Sequence, residues 1–133
     1  MDLLGRFWKK EELPVAEQKW NKMWGLWVAG KAESPYAELM AYESEVNNGG
    51  HSQYFFNAAN CGDLKAAAET LLMSLPEPLL ENFREAYEAF SAQEDIFGNE
   101  NDDLFDRCDD VFYEREQLLL DILKAYAGKL ELD

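Results

Sequence analysis

The apolar residues of this chain recur at intervals of three and four, the period of a helix, and rarely alternate as strand residues do. A short apolar piece around residues 3–9 comes first. The next segment places three tryptophans on one helical face: Trp20, Trp24 and Trp27. Pro14 is a favourable first residue for this helix, and Gly30 is expected to end it. The tryptophan face predicts core packing, and a homodimer contact is the alternative reading.

Residues that interrupt or cap helices divide the rest of the chain. Ser34 and Pro35 begin a second helix, which the run Asn47-Asn48-Gly49-Gly50 breaks. The later predicted helices cover residues 51–60, 64–75, 79–90 and 102–126, with Asp63 as the cap of the second of these segments and Pro76 and Pro78 opening the third. The pattern therefore predicts an all-α, compact single-domain bundle of about six to seven helices. Residues 1–33 form a Trp-rich helical extension packed on the core, and residues 34–133 form the main domain.

The break at residues 47–50 has a competing interpretation. An Asn-Gly pair between apolar runs is a strong hairpin signal. However, four apolar residues after the break repeat with helical spacing: Tyr54, Phe55, Ala58 and Ala59. Two helices joined by a tight corner fit this pattern better, with Asn48 or Gly49 as the left-handed residue that closes the first helix.

Composition excludes several classes of protein. The 133 residues are 47% hydrophobic, enough for a core, but no apolar run approaches the ~20 residues that span a membrane. The first residues lack the pattern of a secretion signal, so a cytoplasmic location is expected. Cys61 and Cys108 are too few for a disulfide framework and are expected to be small buried side chains.

Charge is the unusual property of the sequence. The formal net charge is −15, and it is distributed unevenly: residues 1–31 carry a net +2, and residues 32–133 a net −17. Such a field repels nucleic acids and anionic membranes and attracts basic proteins. Direct contact with nucleic acid or membrane is therefore not expected, and a basic protein is the expected partner.

Part of this charge is arranged in two rows that we call the acidic ladders. Four acids step by four, four and three along one predicted helix, opposite its apolar stripe, and four step by four along the last. Residues at these spacings share a helical face, so each ladder presents a row of carboxylates. The alternative is an ordinary solvated helix face. The predicted partner-binding residues are Glu77, Glu81, Glu85, Glu88, Asp102, Asp106, Asp110 and Glu114.

One motif carries a family resemblance. The stretch Glu45-Val46-Asn47-Asn48-Gly49-Gly50-His51-Ser52-Gln53-Tyr54-Phe55-Phe56-Asn57 resembles the signature of a family of small acidic helical domains, named after a bacterial DNA-mimic protein and formerly catalogued as a domain of unknown function. Residues 105–126 are similar to the closing helix of the same family, so the resemblance covers roughly residues 34–127. Residue 51, often a larger apolar side chain in relatives, is His here.

The resemblance implies an all-helical fold. For the founding type it implies binding to DNA-binding proteins through carboxylates placed where phosphates would be. The proposed role is thus a DNA mimic that sequesters a transcription regulator or nucleoid protein. The alternatives are an immunity or antitoxin-type inhibitor of a basic effector, or a helical domain with no mimic role. Within the motif, a structural role is expected for Glu45, Asn47, Asn48, Gly49, Gly50, Gln53 and Asn57, with Gln53 and Asn57 bonding backbone groups at the glycine corner.

Residues with catalytic or ligand-binding chemistry are few. His51 is the single histidine, and no zinc-ligand pattern surrounds it, so a hydrogen-bonded or exposed side chain is expected. Glu43 and Glu45 could act as an acid–base pair, but no other feature marks them. We therefore expect no enzyme, no cofactor and no metal. The remaining enzyme hypothesis needs a polar cleft at the His51, Gln53 and Asn57 corner.

Overall fold

A computed structural model describes residues 13–133. The predicted opening piece around residues 3–9 lies outside the described residues. The described chain forms five helices and no strand: α1 (Val15–Val28), α2 (Tyr36–Cys61), α3 (Leu64–Ser74), α4 (Leu79–Ser91) and α5 (Asp102–Gly128). The all-α prediction is confirmed. No helix among residues 13–133 is long and apolar enough to span a membrane.

Residues 13–133 form five helices rather than six to seven, because the predicted break at residues 47–50 bends α2 without ending it. Only Gly49 and Gly50 leave helical geometry inside α2. The residue with positive φ is Gly50 (φ 78°, ψ −176°), so the assignment of the left-handed position to Asn48 or Gly49 was wrong. The φ of Gly49 is −160°, which is extended backbone.

The described residues divide into two compact units. One unit contains residues 33–123, with α2, α3, α4 and most of α5, and the other contains α1 and residues 124–133. In the second unit Met23 is buried, and the three predicted tryptophans are half-buried with edge-to-face contacts at 6.1 Å and 5.4 Å. Lys19 Nζ donates to the carbonyl oxygen of Gly128 at 3.0 Å. The homodimer contact stays a prediction.

Aromatic side chains dominate the core of the 33–123 unit. Tyr42 makes edge-to-face contacts with three other core rings at centroid distances of 5.3–5.4 Å: Tyr54, Phe83 and Phe112. Edge-to-face packing is a favoured geometry for aromatic rings. These contacts join α2, α4 and α5 and fix the surfaces that those helices present to solvent. The two cysteines differ, since Cys108 is buried as predicted whereas Cys61 is exposed, against the prediction.

Three cross-contacts show that α4 and α5 run antiparallel. Asn82 Nδ2 donates to the carbonyl oxygen of Cys108 at 2.8 Å, and Glu85 Oε1 lies 2.7 Å from Arg107 Nη2. Asn101, just before α5, donates from Nδ2 to the carbonyl oxygen of Ala89 at 3.1 Å. Residue numbers rise along α4 as they fall along α5, so the two ladder-bearing helices are neighbours with opposite directions.

Candidate functional site

All eight acids of the ladders are exposed, and Glu77 lies just before α4 rather than on it. Asn82 lies opposite Cys108, and Glu85 lies opposite Arg107. Continued along both antiparallel helices, these pairings bring Glu85 to within one residue of the level of Asp106, and Glu81 to within one residue of the level of Asp110. Each of these levels therefore carries an acid from each helix. Four residues rise about 6 Å along a helix, so successive levels are spaced by about one helical turn.

The ladder on α5 is a winding band. Four residues turn a helix by about 400°, so each step of the ladder drifts by about 40° around the axis. Over its three steps the ladder winds by about 120°, and its first and last acids point to different sides of α5. Consistent with this, Asp102 lines a groove beside α2. The acids nearest the middle, Asp106 and Asp110, are the ones level with acids of α4.

Two arginines neutralise part of the ladder on α4. Arg84 pairs with Glu81 one turn away on the same helix, and Arg107 of α5 pairs with Glu85. Both pairs are solvent-exposed, and exposed ion pairs contribute little to stability. The other six ladder acids form no ion pair with any residue of the described range. Six of the eight ladder carboxylates are thus exposed and not neutralised by a described side chain.

The polar residues of the motif form a cluster inside the bend of α2. Glu45 Oε2 accepts hydrogen bonds from Gln53 Nε2 at 2.9 Å and from Asn57 Nδ2 at 2.8 Å. The prediction that Gln53 and Asn57 bond backbone groups at the corner was therefore wrong, because a carboxylate takes both amide donors. The cluster ties the two halves of α2 together across the bend. The structural role expected for the motif stays a prediction.

His51 is fully buried and hydrogen-bonded through both ring nitrogens. Its Nε2 lies 2.6 Å from the hydroxyl of Tyr42, and its Nδ1 lies 2.6 Å from Oδ1 of Asp109. The backbone N–H of His51 donates to the same Oδ1 at 2.8 Å. The expectation of a hydrogen-bonded histidine is confirmed. Burial is the first cause that raises the pKa of Tyr42 well above its ordinary value, so its hydroxyl stays protonated.

Asp109 was not singled out from the sequence, although a signal for it exists. Asp109 and Glu116 fall on the apolar stripe of α5, at helical spacing between Phe105, Phe112 and Leu119. An acid within an apolar stripe requires a polar partner. Asp109 has that partner in His51, and Glu116 accepts from Asn47 Nδ2 at 2.7 Å.

Glu43 pairs with Glu116, whereas Glu45, the acid considered together with it in the sequence, bonds Gln53 and Asn57. Asn47 Nδ2 donates to Glu43 Oε1 at 2.9 Å and also to Glu116. Burial, followed by a hydrogen bond with Glu116 and repulsion from its charge, raises the pKa of Glu43 to about 7. One proton is therefore shared within the pair near neutral pH. Asn47 belongs to the motif, so the motif also holds α2 to α5.

A groove of about 670 Å³ lies beside the bend and is lined in part by Gly49, Ser52, Gln53 and Asn57. The enzyme hypothesis required a polar cleft at this corner, but His51 does not line the groove. Gln53 and Asn57 each use one amide N–H on the carboxylate of Glu45. No group of three or more metal-ligating side chains occurs within residues 13–133. The absence of enzyme activity stays a prediction.

Comparison with known proteins gives one match. A family model described as DMP19-like protein matches residues 32–129, about three quarters of the chain. The match confirms the resemblance inferred from the motif at residues 45–57. Both ends of the match lie within two residues of the range 34–127 that the resemblance was expected to cover. No curated protein and no solved structure matches the chain.

Proposed function

The chain belongs to the DMP19-like protein family, and from that membership we propose that it is an acidic protein-binding module. In this proposal it acts as a DNA mimic that sequesters a basic DNA-binding protein, such as a transcription regulator or a nucleoid protein. It works in the cytoplasm by binding, without catalysis, cofactor or direct contact with nucleic acid or membrane. The family name supports the mimic role, and the surface supplies a physical basis for it.

One observation carries the proposal: exposed carboxylates stand at nearly matching levels on two antiparallel helices. Asp106 and Asp110 form the row on α5, and Glu81 and Glu85 form the row on α4, with about 6 Å between successive acids of a row. The α4 acids are paired with arginines, so the unpaired charge at these levels is that of the α5 acids. Phosphates of one DNA strand rise only ~3.4 Å per step along the axis, but the backbone winds at large radius, so their through-space spacing is of the same order. A basic groove that fits a DNA strand can therefore meet the ladders.

The charge of the surrounding unit supports this role. Residues 33–123 contain 21 acidic and four basic residues. A field of this strength steers a basic partner and speeds its association, and salt screens it over about 10 Å at 0.1 M. Binding should therefore be fast and steeply salt-dependent. The two arginine pairs at Glu81 and Glu85 leave the sign of the field unchanged.

The test compares two variants that lose the same number of charges. The ladder variant removes the four central ladder charges: Glu81→Gln, Glu85→Gln, Asp106→Asn and Asp110→Asn. The scattered variant removes four exposed acids of the same unit that lie outside the ladders: Glu33→Gln, Glu69→Gln, Glu94→Gln and Asp121→Asn. Both keep side-chain shape, and circular dichroism checks that both fold.

Each protein is used as bait for lysate proteins at about 50 mM and about 500 mM NaCl, which changes screening strongly. The wild type and the scattered variant should retain a basic DNA-binding protein at low salt, and the ladder variant should not. Purified wild type should then release that protein from duplex DNA in a gel-shift assay. Equal capture by both variants, or a partner that stays on DNA, would contradict the proposal. A captured nuclease would point to the inhibitor alternative.

A further inference from the structure

The groove beside the bend of α2 has aromatic walls and an apolar floor. Phe90 and Phe105 are buried at its base, and Phe56 and Phe97 line it from α2 and from the α4–α5 loop. The side chain of Phe97 is 74% exposed, and its ring centroid lies 5.3 Å from that of Phe56 in an edge-to-face arrangement. A large exposed aromatic side chain next to a groove is typical of a contact surface.

Phe97 is held at the groove by its own loop. Its backbone N–H donates to Oδ1 of Asp95 at 2.9 Å, and the N–H of Gly98 donates to the carbonyl oxygen of Asp95 at 2.9 Å. Gln93 Nε2 donates to the same carbonyl at 3.1 Å, and Gln93 Oε1 accepts from Asn101 Nδ2 at 3.0 Å. The turn therefore presents the ring in a set position.

The polar edge of the groove offers acceptors. Gln53 and Asn57 line the groove, and each uses one amide N–H in a hydrogen bond to Glu45, which does not line it. Their amide oxygens accept no hydrogen bond from a described side chain. Asp102 also lines the groove, and its carboxylate has no partner among the residues that the structure describes. A ligand with hydrogen-bond donors and positive charge fits these acceptors.

We propose that this groove holds an arginine side chain of the basic partner. A guanidinium group has five N–H donors and no acceptor, and its flat face stacks on aromatic rings. Phe97 and Phe56 provide the rings, and Asp102 with the amide oxygens provides the acceptors. A lysine ammonium is a compact, strongly hydrated charge and fits this combination less well. The inference rests on the proposed function, since it assumes a basic partner.

The position of Asp102 connects the groove to the proposed binding surface. Asp102 is the first acid of the α5 ladder and also a lining residue of the groove. A partner bound along the ladders would therefore reach the groove without crossing a neutral surface. The ladders attract any basic protein, whereas the groove selects an arginine at one position. Selectivity between arginine and lysine thus separates the groove from the ladders.

The test uses two fluorescein-labelled synthetic peptides of equal length and charge, one containing arginines and the other lysines at the same positions. Fluorescence anisotropy measures the Kd of each for the wild type. The arginine peptide is expected to bind about tenfold more tightly, and to keep more of its affinity at about 500 mM NaCl, because stacking is screened less than exposed charge.

Three variants examine the groove. Phe97→Ala and Asp102→Asn should each weaken the arginine peptide about fivefold and the lysine peptide less than about twofold. Phe97→Leu keeps the apolar contact but loses the ring face, so it should lose most of the selectivity for arginine. Because leucine still fills the position, the loss is not explained by a rearranged loop. The matched control is Met73→Ala, because Met73 is 89% exposed on α3 and does not line the groove.

The outcomes distinguish this inference from the proposed function. Equal affinity of the wild type for the two peptides, equal weakening of both by Phe97→Ala, or no binding of either peptide would overturn the inference. If the ladder variant loses both peptides while the groove variants keep full arginine selectivity, only the groove inference is wrong. If the ladder variant binds both peptides as the wild type does, the proposed role of the ladders fails instead.

Discussion

The hydroxyl of Tyr42 lies 2.6 Å from Nε2 of His51, and both side chains are completely buried. Asp109 accepts from the backbone N–H and from Nδ1 of His51 through one oxygen. A carboxylate only accepts, so Nδ1 carries a hydrogen, and in the neutral ring Nε2 then accepts the hydroxyl hydrogen of Tyr42. The three side chains form one directed hydrogen-bond chain from α2 to α5.

Removing either partner of the hydrogen bond between Tyr42 and His51 should lower the free energy of unfolding. Tyr42→Phe leaves Nε2 of His51 without a donor, and His51→Leu leaves the hydroxyl of Tyr42 without an acceptor. Each should lower the free energy of unfolding by about 1–3 kcal/mol, the cost of an unpaired buried polar group. The double variant should cost at least about 1 kcal/mol less than the sum of the two, because two apolar side chains leave no such group there. Urea unfolding followed by circular dichroism measures all four proteins.

The matched control for this cycle is Tyr113→Phe. The hydroxyl of Tyr113 donates to the carbonyl oxygen of Val46 at 2.9 Å, but its side chain is exposed enough for water to replace that bond. Its removal should cost less than about 1 kcal/mol. Strict additivity of Tyr42→Phe and His51→Leu would show that the hydroxyl and the imidazole do not depend on each other.

Gly50 should not tolerate a side chain. Its φ of 78° with ψ of −176° belongs to a region that is occupied almost only by glycine, and an added Cβ would meet the carboxylate of Asp109. Gly50→Ala should therefore lower the free energy of unfolding by about 1–3 kcal/mol in urea titrations. It should also disturb the contact between Asp109 and the N–H of His51.

Gly25→Ala provides the opposite case within the same chain. Gly25 lies inside α1, and an added Cβ would meet no atom within 4 Å. Alanine favours a helix interior by about 1 kcal/mol over glycine, so this variant should be slightly more stable than the wild type. Equal stability changes for Gly50→Ala and Gly25→Ala would refute the special role of the bend.

Local sequence signals predicted the helices because those signals act over a few residues. Asp63 caps α3 as expected, its Oδ1 accepting from the N–H of Ala66 at 3.1 Å, and α1 begins directly after Pro14. The bend at residues 47–50 was also located correctly. Whether a bend separates two helices or kinks one depends on packing across it, and the sequence shows only the interruption at Gly49 and Gly50.

The site was predicted less completely, because its partners come from distant parts of the chain. His51 and Asp109 are 58 residues apart, and Asn47 and Glu116 are 69 residues apart. Helical periodicity indicates that Asp109 and Glu116 lie on the inner side of α5, but it does not say which polar group they meet. The groove has the same origin, since α2, α4, the loop after it and α5 all contribute to its lining.

The Glu43–Glu116 pair should make stability depend on pH. The folded state raises the pKa of Glu43 from 4.5 to about 7, so it binds more protons than the unfolded state between these values. The free energy of unfolding therefore falls as pH rises through this window, and the loss is complete above pH 7. We expect a loss of about 1–2 kcal/mol from this pair, after allowing for solvent screening.

Glu43→Gln should flatten this dependence. The amide can accept from Asn47 and donate to Glu116 without a charge, so the variant should be more stable than the wild type at pH 8 and similar to it near pH 4.5. Glu69→Gln removes an exposed carboxyl and should keep the wild-type slope. Urea titrations from pH 4.5 to 8 decide the matter. A slope in Glu43→Gln equal to that of the wild type would show that the titration belongs to other groups.

The ladders should cost stability, and this cost tests whether they are more than a solvated surface. They contain six like-charge pairs at spacings of three or four, each worth about 0.2–0.5 kcal/mol of repulsion. The ladder variant relieves all six but loses the ion pairs of Arg84 and Arg107, so it should be about 1 kcal/mol more stable than the wild type at low salt. The gain should fade near 0.5 M NaCl.

The scattered variant separates local repulsion from total charge. None of its four acids has another acid three or four residues away, so it should gain less stability than the ladder variant although it loses the same charge. Thermal unfolding at low and high salt measures both. If removing the ladder charges stabilises the fold but abolishes binding of the partner, the ladder acids are retained for binding at a cost in stability. Equal gains in stability for the two variants would show that the spacing of the ladder acids adds no repulsion beyond that of the total charge.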